Sequence, residues 1–126
     1  MLYRFKGGQD GAYPEGSLIM DTSGALFGTT EEGGTGCSGI PPGCGTVFKL
    51  TPPGAGETEW TESVLHRFQG GADGESPFAG LTMDMSGALY GTTGSGGTGC
   101  PPVGCGTVFQ RNGAPKRAAH AGSEEQ

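Results

Sequence analysis

The 126-residue chain carries 7 basic and 13 acidic residues for a formal charge of −6, with glycine (28) and proline (9) filling more than a quarter of it and apolar residues only 33%. The acidic balance argues against nucleic acid and anionic membrane surfaces as partners, since both need basic patches, and no apolar run approaches the ~20 residues that span a bilayer. So much glycine would suit a flexible linker, but the glycines recur at fixed positions, as turns with positive φ or close backbone approach require.

Residues 2–37 recur as residues 65–100 at a constant offset of 63, with 23 of 36 positions identical. After a loop two residues shorter in the second copy, the run CGTVF at 44–48 returns at 105–109. A period of this length marks a repeat architecture, in which each unit buries its apolar face against a neighbour. In chain order, residues 2–5 (LYRF) read as a strand, followed by a Gly-rich loop at 7–16. Strand-like runs follow at 18–21 and 25–30, joined by the turn Asp21-Thr-Ser-Gly24, in which Asp opens and Gly closes. A second Gly-rich loop covers 33–45, then a run at 45–50, a Pro-Pro connector at 52–56 that excludes strand, and a run at 60–68.

The second copy repeats three of these runs, at 81–84, 88–93 and 106–110, and lacks the fourth. From Arg111 the sequence is polar and breaks the repeat, which reads as a disordered tail. The expected organisation is therefore repeat 1 over 1–64, an incomplete repeat 2 over 65–110, and a tail over 111–126. No run of ten residues holds a helical apolar period without a glycine break. The fold class is all-β, with propeller-like blades of short antiparallel strands. The ends are permuted: residues 2–5 match the fourth strand that the last unit lacks. A closed propeller needs about four to eight blades, so two units predict assembly with further copies or with neighbouring repeats. The opening residues run straight into the repeat with no apolar signal stretch.

The motifs carrying these repeats resemble the Gloeo-Verruco (GloVer) tandem repeat of bacterial exported or surface proteins. The match rests on L-Y-x-F-x-G-G-x-D-G-x-x-P at 2–14, on G-x-L-x-x-D-x-x-G-x-L-F-G-T-T-x-x-G-G at 16–34, and on G-C-G-T-V-F-K-L-T-P-P at 43–53. The second-copy counterparts lie at 65–77, 80–97 and 104–109. The resemblance implies an array-forming, extracellular or cell-surface module with no general enzymatic activity attached.

Candidate sites are few. Cys37 with Cys44 and Cys100 with Cys105 form two local pairs flanking Pro-Pro and glycine. Two disulfides, implying an oxidising compartment, lead this reading. Reduced structural cysteines and a four-cysteine zinc site with wide spacings remain open beside it. Asp10 and Asp73 each sit in a Gly-rich loop and are weak calcium candidates, with turn capping as the simpler role. Asp21 and Asp84 read as turn residues, and the Thr29-Thr30 and Thr92-Thr93 pairs as strand formers with hydroxyls that could meet a sugar. The recurring aromatics Tyr3/His66, Phe5/Phe68, Phe27/Tyr90 and Phe48/Phe109 read as core between units.

Trp60 occurs once and is the best candidate for stacking on a ligand, with packing as its plainer role. No cofactor is expected. No catalytic set converges: His66 takes the place of Tyr3, His120 lies in the tail, and Glu31-Glu32 lacks a counterpart in the second copy. The function read from the sequence is a non-enzymatic, self-assembling structural or binding module, whose expected partners are further copies of itself or neighbouring repeats. The rival is a lectin-type propeller with glycan sites between blades.

Overall fold

The computed structural model describes residues 1–37, 43–77, 79–100 and 104–112. Among these the fold is all-β and antiparallel, apart from 3-10 turns at Gly71–Asp73 and at Cys37. Strands β1 (Ala12–Pro14), β2 (Ile19–Met20), β3 (Leu26–Glu32), β4 (Thr46–Thr51) and β5 (Thr61–Arg67) make the first sheet. Strands β2-β3-β4-β5 form a meander, and β1 lies along the outgoing part of β3. Strands β6 (Thr82–Met83), β7 (Ala88–Thr93) and β8 (Thr107–Asn112) make the second, in that order. Neither sheet closes on itself.

The four runs expected in the first unit thus become β2 to β5, and the three of the second become β6 to β8. Strand β1 falls inside the stretch read as a loop. It is held by pairing Ala12 with Glu32 and Pro14 with Thr30, on an edge where a missing N–H is tolerated. The second unit keeps a single bridge there, Glu75 to Ser95. Strand β5 runs across the expected unit boundary at residue 64. Strand β8 continues through Arg111 and Asn112, which pair with Leu89 and Ala88; the remainder of the expected tail lies outside the described residues.

The turn before β3 is built by Asp21. Its Oδ1 accepts from the Ser23 N–H at 2.9 Å, the Ser23 hydroxyl at 2.7 Å and the Ala25 N–H at 3.0 Å. Asp84 does the same with Ser86 and Ala88. These bonds satisfy turn amides that the sheet leaves over, which is the physical content of an Asx turn.

Strand β3 is buried on both faces. Phe27 enters the core, while Gly28 faces the ring of Phe48: a Cβ there would come within 2.8 Å of both Phe48 Cζ and Leu18 Cδ2. Gly91 repeats this against Phe109 and Leu81. Between β3 and β4 the hydroxyls of Thr30 and Thr46 hydrogen-bond at 2.8 Å, both side chains fully buried, and Thr30 Oγ1 also accepts from the Thr46 N–H. Thr93 and Thr107 reproduce the pair in the second unit. Thr30 and Thr93 are therefore satisfied polar groups of the interior.

One apolar cluster runs through both units: Ala25, Phe27, Cys44 and Val47 join Phe68, Leu81, Leu89 and Phe109. The Ser76 N–H donates to the Cys44 carbonyl at 2.8 Å, tying the same units by their backbones. One expected core aromatic departs from this. Tyr90, the counterpart of Phe27, is partly exposed and donates its hydroxyl to Asp84 Oδ2 at 3.0 Å; a phenol gains a partner there that a core site would deny it.

Candidate functional site

Residues 65–68 belong to two units at once. Their backbone extends β5, with His66 opposite Val47 and Arg67 opposite Thr46. Their side chains reach the second unit: Phe68 is fully buried and meets Phe109 edge-on at 5.0 Å, with His66 edge-on to Phe68 at 4.7 Å. The segment is a strand for one unit and a core plug for the next.

Beside it lies a polar junction. His66 Nε2 is 2.8 Å from Asp73 Oδ2, and Arg111 Nη2 lies 3.2 Å from Asp73 Oδ1 and 2.9 Å from His66 Nε2. The Gln69 N–H completes the Asp73 carboxylate at 2.8 Å. Burial, with Arg111 adding to it, pushes the His66 pKa below its ordinary value against the pull of Asp73. The neutral imidazole uses Nε2 either to donate to Asp73 or to accept from Arg111, and Arg111 reaches Asp73 directly, so Asp73 is the hub that joins β5, the Gly-rich turn and β8. The sequence missed this junction because Arg111 had been assigned to the tail. The signal was present in the shorter offset of 61 after the loop, which aligns Arg111 with Leu50 inside a strand.

Residues 2–5 repeat only half of this arrangement. Tyr3 donates to Asp10 Oδ2 at 2.7 Å, Tyr3 meets Phe5 at 5.0 Å, and Phe5 meets Phe48 at 4.9 Å, as the counterparts do in the second unit. Burial and then the bond to Asp10 raise the Tyr3 pKa. For Asp10, burial opposes ionisation, but bonds from Tyr3 and the Lys6 N–H outweigh it and lower its pKa. The backbone of residues 1–6, however, forms no strand.

The complementary gap is at β8. Among the described residues β8 pairs with β7 alone, and Val108 is 80% exposed where its counterpart Val47 is 0%. A cleft of about 470 Å³ opens along this edge, bordered by Ala72, Asp73 and the β8 residues from Thr107 to Arg111. A sheet edge with bare N–H and C=O groups is a template for another strand.

The other singled-out residues separate into known surroundings. The Asp10 and Asp73 carboxylates are engaged as described, each within its own loop. Cys37 and Cys44, and Cys100 and Cys105, stand at disulfide distance, with Cα separations of 5.9 and 5.4 Å. Glu75 approaches the first pair closely enough to form a ligand-like trio; a disulfide between these sulfurs would leave no thiolate for a metal. Trp60 is half-buried just before β5 and borders a second cleft of about 470 Å³ with Tyr3, Arg4, Lys6 and Glu59. Phe48 and Val47 are interior, as the repeat of aromatics suggested for the former. No helix among the described residues is long and apolar enough to cross a membrane.

A duplicated antiparallel unit, with Phe5 and Phe68 packed alike on Phe48 and Phe109, is the pattern of a tandem repeat. The model of the Gloeobacter/Verrucomicrobia repeat matches residues 1–122. The chain belongs to that repeat family. The match takes in both units, so the GloVer resemblance drawn from the motifs is correct. No curated protein and no solved structure matches the chain.

Proposed function

We propose that this GloVer-family chain is a non-enzymatic, propeller-like repeat module with a structural or interaction role, self-assembling and working outside the cell or at its surface. One observation carries the reading: residues 65–68 are hydrogen-bonded into one sheet while Phe68 fills the core of the next. A unit that lends part of itself to its neighbour is built for arrays. The two cysteine pairs at disulfide distance support an oxidising location. Native mass spectrometry of the non-reduced protein tests the reading. Multiples of the chain mass, with no free thiol and no bound metal, are expected; a monomer at every concentration, or stoichiometric metal, would count against it.

A lectin-type reading has one observation in its favour, the Trp60 cleft, where an indole and a phenol stand near Arg4 and Lys6. Aromatic faces with nearby hydrogen-bond donors suit sugar rings. Binding of the assembled protein to a glycan array that is lost in Trp60→Ala would favour it, and an unlabelled array would dismiss it.

A further inference from the structure

Among the described residues, the strand-sharing at 65–68 has a counterpart segment at 2–5 that extends no sheet and a counterpart edge at β8 that receives no strand. Resting on the reading of the chain as a self-assembling module, we infer that residues 1–4 of one copy pair with β8 of a second copy, in the register that β5 uses on β4. The segment at 65–68 does two things: its side chains plug its own unit and its backbone extends the preceding sheet. The segment at 2–5 does only the first. Tyr3 sits on Asp10 and Phe5 on Phe48, while the backbone stays outside any sheet.

Strand β4 receives a partner along its free side, and among the described residues β8 does not. The exposure of Val108 against the burial of Val47 measures what that partner covers. The pairing of β4 with β5 sets Thr46 opposite Arg67, Val47 opposite His66 and Phe48 opposite Val64. Carried to the equivalent positions, Arg4 of one copy stands opposite Thr107 of the next, Tyr3 opposite Val108 and Met1 opposite Phe109. Within its own chain the segment borders a cleft with residues 58–60 of the first unit, and Phe5 anchors it on Phe48. The donor therefore serves another copy, and the contact is head-to-tail. The partner is a second copy of this chain because the donor sequence is the chain's own.

The test is a complementation between two full-length variants. Val108→Asp places a charge on the exposed acceptor edge and leaves the core untouched. Leu2→Pro and Arg4→Pro fix φ at two residues of the donor segment outside the Tyr3 and Phe5 anchors, and circular dichroism checks the folding of each. The wild type is expected to assemble, and each variant alone to assemble at least tenfold more weakly. Mixed, with one variant isotopically labelled, the two form a heterodimer that does not grow, since a single competent donor–acceptor pair remains. If Val108→Asp assembles like the wild type, strand donation is wrong while the module reading stands. A monomer whose β8 amides resist hydrogen exchange would mean that the chain covers its own edge, which overturns donation. A monomer with freely exchanging β8 amides would overturn donation and self-assembly together.

Discussion

Glu62 projects from β5 opposite Leu50, with Oε2 buried and without a hydrogen-bond partner among the described residues. Burial, aided by the nearby charge of Asp10 and opposed by Arg67 and Lys6, lifts its pKa from an ordinary 4.5 to about 7. A carboxyl whose pKa is raised by folding binds its proton more tightly in the native state, so its ionisation costs stability. That cost is absent below the ordinary pKa, grows as pH climbs towards 7, and is complete above it. Glu62→Gln should therefore match the parent near about pH 4 and exceed it near about pH 8 by on the order of 1 kcal/mol, the shift being discounted for solvent around a partly exposed group. Urea titrations at the two pH values measure this; equal differences at both would refute it. Gly28→Ala carries the opposite sign. A methyl 2.8 Å from Phe48 Cζ forces the ring or the strand to move, and overpacking of this kind costs about 1–3 kcal/mol. Gly91→Ala should cost a similar amount, and thermal melts of the two side by side check the equivalence.

At the scale of strands and turns, the sequence was most readable where local chemistry decides the outcome. Asp21 and Asp84 announce their turns because a carboxylate that takes up backbone N–H groups needs no distant partner. Asp21→Ala should lose about 1 kcal/mol, the usual size of such a bond, and Asp21→Asn less, as read by denaturant midpoints. Holding three hydrogen bonds keeps the Asp21 pKa low against the effect of burial, so this contribution is complete above the ordinary carboxylate range and fades as pH falls through the lowered value. Strand β1 was not readable, because its existence depends on Glu32 and Thr30 across the sheet rather than on its own residues. Arg111 was hidden for a related reason. Similarity between the copies stops at Phe109, yet backbone pairing to Leu89 requires no similarity. The repeat of aromatics located Phe48, Phe68 and Phe109, but it could not foresee that Tyr90 would turn to Asp84.

Over the whole molecule, the coupling between units passes through Phe68, and the two copies of that phenylalanine provide an internal control. Phe68 is fully buried between the sheets and joins the single cluster that includes Val47 of the first unit and Leu89 of the second. Phe5 makes the equivalent contact with Phe48 but remains partly exposed. Truncating a buried phenylalanine costs about 3–5 kcal/mol through lost transfer energy and the cavity left behind. Phe68→Ala is therefore expected to lose that amount and Phe5→Ala clearly less. The two losses should also differ in kind. Trp60 is the chain's one tryptophan and lies in the first unit, so its fluorescence reports that unit, whereas far-UV circular dichroism reports both. In the parent the two signals should fall together on denaturation, as one core requires. In Phe68→Ala they should separate, the second sheet melting first because β8 pairs with β7 alone among the described residues. Coincident curves in that variant would show that the units are joined by more than this ring, with the backbone tie from Ser76 to Cys44 as the next contact to cut.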